Sequence, residues 1–294
     1  PPGELLSATG LMRPIRQQVL AKQYEGKTAS SFTSLSRRIP SRIGTAIHDA
    51  IEAAWLSGSY KEIMQGLGYS PKTIEALVIN PETPSEDNRF DVYTEKRAYK
   101  PFKSVVITGE ADFCLGGTYT DFKFTSVHNY MDTYGPKSED YILQGSIYRW
   151  LMPEIITKDI MNIGFIFNDW DKKATTPGYP PNKVCYKSYQ LMTVEATERW
   201  IENRVQKYLS NLPLSQDMMV KCSNKERWKK DDIWQYFSNP NNKRSSKNFN
   251  TSAAASRHLA SKGVGRVVYK AGKSIGCGYC PVNTVCKQFA ALQE

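Results

Sequence analysis

Asp112 and Asp121 stand eight intervening residues apart, and Lys123 follows two positions after the second. On adjacent strands of a hairpin the two carboxylates could share a divalent cation, because hard cations are bound through oxygen. Strand side chains repeat with period two, so Lys123 would share the face of Asp121. A cation there would lower the pKa of a bound water, and an ammonium beside it could steer that water or offset charge on a phosphate. The chemistry open to such a trio is phosphodiester hydrolysis. The same trio would also suit a solvated hairpin face with ordinary cross-strand pairs, and patterns this short recur by chance.

The hairpin that must position them is legible. Residues 104–109 form a β-branched run leading into 110–115, Gly116-Gly117 is a turn signal, and 118–125 reads as the return strand. Glu110 and Asp112 would then share a face opposite Asp121 and Lys123. Upstream, Ile43, Ile47, Ile51 and Ala54 recur at helical spacing and predict a helix over 44–56, capped by Ser41 or Thr45. His48 on that helix is either a satisfied boundary residue or a nitrogen ligand. Glu52, one turn further, could contact the metal or hold His48 in place. A second helix over 139–151 puts Gln144 and Tyr148 on one face, as surface residues or as contacts to a phosphate backbone and a stacked base.

The remaining pattern predicts helices at 13–24 and 60–68, a loop at 80–88, a strand at 90–99 and a loop at 128–138. Strands follow at 161–167 and 183–191, then a helix that Thr193 caps and that runs to about 209. Strands interleaved with helices imply an α/β fold, a mixed central β-sheet flanked by helices. The 294 residues, 40% hydrophobic and 12% aromatic, can bury a substantial core, and no internal repeat is visible. A net charge of +10 and a pI near 9.2 favour a polyanionic partner, nucleic acid first among them. No apolar run is long enough for a bilayer and no basic-then-apolar leader opens the chain, so a cytoplasmic protein without a membrane partner is expected.

Composition shifts at Asn211, and residues 239–248 are polar and basic. Four of the six cysteines lie beyond that shift: Cys222, Cys277, Cys280 and Cys286. The last three form a C-x2-C-x5-C run with Gly276, Gly278 and Pro281 around it, a knuckle suited to a metal. Without a secretion signal a metal is favoured over disulfides. Four thiolates suit zinc or an iron–sulfur cluster equally. Either would staple a C-terminal subdomain with little core of its own. Cys114 and Cys185 read as buried small apolar residues.

Four pieces, in order, resemble the PD-(D/E)XK nuclease superfamily, most closely its RecB-like branch. They are Gly44-Thr45-Ala46-Ile47-His48, Gly109-Glu110-Ala111-Asp112, Asp121-Phe122-Lys123 and Gln144-x3-Tyr148. The resemblance covers roughly residues 40–210. It implies a restriction-endonuclease-like core over 41–210, between an N-terminal extension (1–40) and a cysteine-cluster subdomain (211–294). It implies Mg²⁺ or Mn²⁺ held by His48, Asp112, Asp121 and the Phe122 carbonyl, with Lys123 catalytic and Gln144 and Tyr148 in the site; Glu52 and Glu110 are supporting candidates by their spacing alone. The cysteines look like those of iron–sulfur members such as AddB-type and CRISPR-associated exonucleases. Those relatives place their first cysteine before the core, whereas here Cys222 would complete the set, an arrangement that looks like phage-encoded RecB-like nucleases. A [4Fe–4S] cluster and Zn²⁺ both remain open on these residues.

The expectation is therefore a metal-dependent deoxyribonuclease acting on DNA ends or single strands, in recombination, repair or phage DNA processing, with recombination or replication proteins as partners. Residues 37–42 and 225–230 would track the backbone, and Tyr148 or Trp228 could stack bases. The rival expectations are a non-cleaving DNA-binding or scaffolding module, and a zinc-ribbon adaptor on an unrelated core.

Overall fold

The structure, a computed structural model, describes residues 4–25, 35–86, 90–131 and 137–293, with the backbone alone at 35–38 and 40. Within these the extended runs become β1 (Glu4–Ser7), β2 (Val78–Ile79), β3 (Asp91–Phe102), β4 (Val105–Leu115) and β5 (Thr118–Thr125). Further along lie β6 (Ile160–Phe167), β7 (Val184–Gln190), β8 (Ile233–Phe237), β9 (Lys247–Phe249) and β10 (Arg266–Lys270). The longer helices are α1 (Ile15–Gln23), α2 (Leu35–Leu56), α3 (Lys137–Leu151), α4 (Val194–Asn211) and α5 (Ser252–Lys262). The chain divides into two compact units, Pro1–Arg13 with Phe32–Leu209, and Pro14–Ser31 with Ser210–Glu294.

The first unit is built on a mixed sheet of order β2-β3-β4-β5-β6-β7, with β1 also on β4. Pairs β1/β4, β2/β3 and β5/β6 are parallel, whereas β3/β4, β4/β5 and β6/β7 are antiparallel. This is the expected α/β architecture of a mixed central sheet flanked by helices. Gly116 and Gly117 close the hairpin at φ 56° and 78°, the left-handed pair that a tight two-residue turn requires. The β4/β5 ladder then lasts only three residue pairs, from Leu115↔Thr118 to Phe113↔Thr120. Beyond them β4 takes a different neighbour, because β1 pairs with Val105–Thr108. Residues 109–112 lie between the two pairings, where β4 is free to line a cleft.

Helices clamp that segment. A Cβ on Gly109 would come within 2.7 Å of Tyr148 and 2.9 Å of Leu151, so glycine there lets α3 lie directly on β4. Ile147, Tyr148, Trp150 and Leu151 of α3 are buried, Trp150 edge-on against Phe102 of β3. The indole of Trp150 donates to Glu198 at 2.8 Å and ties α3 to α4. Helix α2 is longer than its periodicity predicted, starting at Leu35 with Pro40 inside it. A proline near the N-terminal end forfeits one N–H donor, and a helix of 22 residues absorbs that loss. Thr45 is consequently no cap, and its hydroxyl bonds back to the Ser41 carbonyl. An aromatic run from Trp55 through Phe113 and Phe122 to His48 seats α2 on β4 and β5.

Other expectations need smaller corrections. The predicted loop over 128–138 overlaps a one-turn helix at Val127–Tyr130 and the start of α3, while 132–136 lie outside the described residues. Residues 87–88 of the 80–88 loop and the side chains of Arg37 and Arg38 also lie outside them. Cys114 and Cys185 are both buried. No helix among the described residues is long and apolar enough to cross a membrane.

The second unit carries regular structure that its polar composition did not announce. Strands β10-β8-β9 form a small antiparallel sheet, so Lys247 and Asn248, at the end of the polar and basic 239–248 stretch, belong to a strand. Helix α5 covers it through Ala255 and through His258, whose ring packs on Tyr236 and Phe249. Thr251 caps α5 at its start and Gly263, at φ 69°, ends it. Helix α1 brings Arg16 inside, 2% exposed, where its guanidinium donates to the Gln216 and Met219 carbonyls.

Candidate active site

The cleft left along β4 gathers donor atoms from three elements. His48 descends from α2, Glu95 comes from β3 and Asp112 from β4, and one atom of each lies within 4.8 Å of the others. Imidazole Nδ1 is 3.6 Å from Glu95 and 3.5 Å from Asp112, and Nε2 is 3.0 Å from the Phe122 carbonyl. Asp112 also accepts the Phe122 N–H at 3.3 Å, where the β4/β5 ladder has stopped. Glu95 sits at φ 45°, a conformation that a non-glycine residue rarely adopts and that clusters at functional sites.

Asp121 is 1% exposed and stands outside that trio. Its Oδ1 accepts from Tyr119 at 3.1 Å, Lys123 at 2.8 Å and Gln144 at 3.3 Å. Its Oδ2 lies 2.7 Å from the Lys123 ammonium but takes no hydrogen bond in good geometry. Gln144 reaches Tyr148 as well, at 3.4 Å. Tyr148 is 4% exposed and packs edge-on against Tyr119, so it props the cleft floor and is not open to stack a base. Glu110, on the same face as Asp112, is ion-paired with Arg97. Two carboxylates lie beside His48 Nδ1, those of Asp112 and Glu95; Glu52, which the helix spacing suggested, is not one of them.

The electrostatics are those of an anionic cradle. Hydrogen bonding to Glu95 raises His48 most; Asp112 and the Phe122 carbonyl add to it, and burial opposes them, leaving it at about 9. Burial, followed by repulsion from Asp121, pushes Asp112 up to about 7. Burial also lifts Tyr148 to about 12, which keeps it a neutral hydroxyl. The donor set is one imidazole with hard oxygens, and a buried Asp121 oxygen lacks a hydrogen bond, so the residues fit a small divalent cation. Glu95 was invisible in the sequence because nothing near it forms a motif; only its place across the sheet from Asp112 reveals it. Glu95→Gln should weaken Mn²⁺ binding about tenfold or more, as loss of a supporting carboxylate typically does. Titration of the protein with Mn²⁺ followed by electron paramagnetic resonance would measure this.

In the second unit, Cys222, Cys277, Cys280 and Cys286 line one cavity together with Arg16 and Arg227. Arg16 Nε donates to Cys286 Sγ at 3.5 Å, and the buried Arg227 Nε has no hydrogen-bond partner. Burial, then the Glu226 carboxylate and the other three cysteines, pushes the Cys222 thiol up to about 12. Two guanidinium groups against four sulfurs suit thiolates neutralised by a metal better than neutral thiols.

Neither a protein-family model nor a curated protein sequence matches this chain. Among solved structures it is similar to SSO0001, at 16% identity over 74% of this chain and 83% of that one, with a TM-score of 0.41. It is also similar to a phage-related exonuclease from Haemophilus somnus 129PT, at 13% identity over 69% of this chain and 91% of that one, with a TM-score of 0.38.

Proposed function

We propose that this chain is a divalent-cation-dependent deoxyribonuclease of the PD-(D/E)XK superfamily, in its RecB-like branch, acting on DNA ends or single strands. The observation that carries this reading is the meeting of His48, Glu95 and Asp112 within 4.8 Å, beside the Phe122 carbonyl and the Asp121–Lys123 pair. The His48 imidazole, the carboxylates and the Phe122 carbonyl would hold Mg²⁺ or Mn²⁺, which would supply a water of lowered pKa and polarise a phosphoryl oxygen. Lys123 Nζ, fixed by Asp121, donates a hydrogen bond to the attacking water or to a phosphate oxygen and offsets the charge that develops there. Gln144 pins Asp121 Oδ1, keeping the lysine in place. The water oxygen bonds to phosphorus as the bond to the 3′-oxygen breaks.

The wider reading follows the same lines. Residues 41–210 serve as the nuclease core, and residues 211–294, joined by α1 from the extension, form the cysteine unit. Its four cysteines, which line one cavity, hold a [4Fe–4S] cluster, with Zn²⁺ as the alternative that four thiolates equally suit. The setting would be a cytoplasm in which phage or host DNA is recombined or repaired. Digestion of end-labelled and circular single-stranded DNA in Mg²⁺ tests the activity. The linear substrate should be degraded and the circle spared if ends are required. Lys123→Ala should be slower by about a hundredfold. A Lys123→Ala protein as fast as wild type, or a wild type that binds DNA and never cuts it, would overturn this reading.

A further inference from the structure

The net charge is not spread along the chain. Residues 211–294 hold 14 of the 39 Lys and Arg but only 5 of the 29 Asp and Glu, which leaves residues 1–210 almost neutral. The polyanion-seeking surface therefore belongs to the cysteine unit rather than to the cleft that holds the acidic residues.

Within that unit two exposed large aromatic side chains lie side by side. Trp228 is 59% exposed and Tyr279 63%, with ring centroids 6.2 Å apart and planes at 44°. Tyr279 lies inside the Cys277–Cys280 knuckle, and Trp228 follows Cys222 by six residues. Trp228 is held at φ 48°, a strained backbone for so bulky a residue. The segment that presents it is stitched to the knuckle strand. Gly276 N–H bonds the Arg227 carbonyl at 2.8 Å, Lys230 N–H bonds the Lys273 carbonyl at 3.0 Å, and Lys229 bridges to Ser274. Lys225 and Lys230 stand either side of Trp228 in sequence, Lys273 is bonded through its carbonyl to the Lys230 N–H, and Lys270 ends β10; all four are exposed. Of the nearby acids, Asp232 is engaged by Lys229 and the Gly272 N–H and Glu226 by the Ser223 N–H, which leaves Asp231 beside Lys230 among the four lysines.

We propose that Trp228 and Tyr279 form a stacking platform for unpaired bases of single-stranded DNA, with Lys225, Lys230, Lys270 and Lys273 contacting its phosphates. An outward aromatic pair costs hydration that a packed protein would ordinarily avoid, and every base offers a π-face to cover it. The lysines attract the backbone without reading sequence. Rigid anchoring to the knuckle keeps the rings in place before DNA arrives, which lowers the ordering cost of binding. The proposal deepens the nuclease reading by naming where its substrate is held, and it stands or falls by binding alone.

The test is fluorescence anisotropy of a labelled oligothymidine with the full-length protein, without added divalent cation. Trp228→Ala with Tyr279→Ala should raise Kd about tenfold or more, and Trp228→Phe should largely restore it. Binding to duplex DNA, whose bases are already stacked, should change little in the same variants. Lys230→Ala with Lys273→Ala should flatten the dependence of log Kd on log salt without abolishing the preference for single strands. Circular dichroism and metal content matching wild type establish that each variant is folded. An alanine double variant that binds the oligothymidine as wild type does, or that loses single-stranded and duplex binding equally, would overturn the platform. The nuclease reading fails separately, if wild type binds DNA and leaves it intact in Mg²⁺.

Discussion

Asp112→Asn is expected to abolish cleavage, by about 10³-fold or more, while leaving the metal-free protein at least as heat-stable as wild type. The substitution keeps the shape of the side chain, and its carbonyl oxygen can still accept the Phe122 N–H that Asp112 takes at 3.3 Å. What it removes is a buried charge for which burial and repulsion from Asp121 and Glu95 outweigh the attraction of His48 and Lys123. In the absence of a cation that charge is a liability, so its loss should not lower Tm. In the presence of a cation it is a ligand, and a neutral amide binds a hard divalent ion far more weakly. Mg²⁺ at a hundred times its Kd should stabilise wild type by about 2.7 kcal/mol; the variant should show almost none of that shift. Thermal unfolding with and without Mg²⁺, beside a cleavage assay, checks both halves. A variant that cuts at the wild-type rate, or keeps the full Mg²⁺ shift, would remove Asp112 from the site.

Cys280→Ser should have the largest structural effect. Structural metals contribute on the order of 10–16 kcal/mol to small domains that fold around them, and serine does not replace a thiolate toward a soft metal. The wild-type protein purified without oxygen should be brown and carry iron with inorganic sulfide. The variant should be colourless, and limited proteolysis should clip it within 211–293 while the unit of Phe32–Leu209 survives. Arg16 sharpens the expectation. Its guanidinium is buried against Cys286 and would lose the anionic centre that offsets it, and an uncompensated buried charge destabilises strongly. A colourless wild type with one zinc would transfer the site to zinc. A Cys280→Ser protein with full metal content and native resistance to protease would show that this cysteine is not a ligand.

What could be read from the sequence was whatever a short window encodes. The β-branched run, the Gly116-Gly117 turn and the alternation after it determine β4 and β5. The apolar spacing around His48 determines that a helix carries it, though not that the helix begins at Leu35. Gln144 and Tyr148 share a face because helical spacing requires it, and the geometry gives them different tasks: one holds Asp121, the other fills the floor.

Tertiary structure decided the rest, and for one reason. The remaining features depend on pairings between distant segments, which local pattern does not specify. Strand β1 meets β4 across some hundred residues, and that contact frees 109–112 from β5 to line a cleft. Glu95 becomes a candidate ligand only because the β3/β4 register sets it across from Asp112. Tyr148 is buried because Gly109 admits α3 onto the sheet. Cys222 meets Cys277 only when the tail folds back on itself, and the same turn places Trp228 against Tyr279. The residue types and their order determined the chemistry; the long-range pairings decided which of those residues meet.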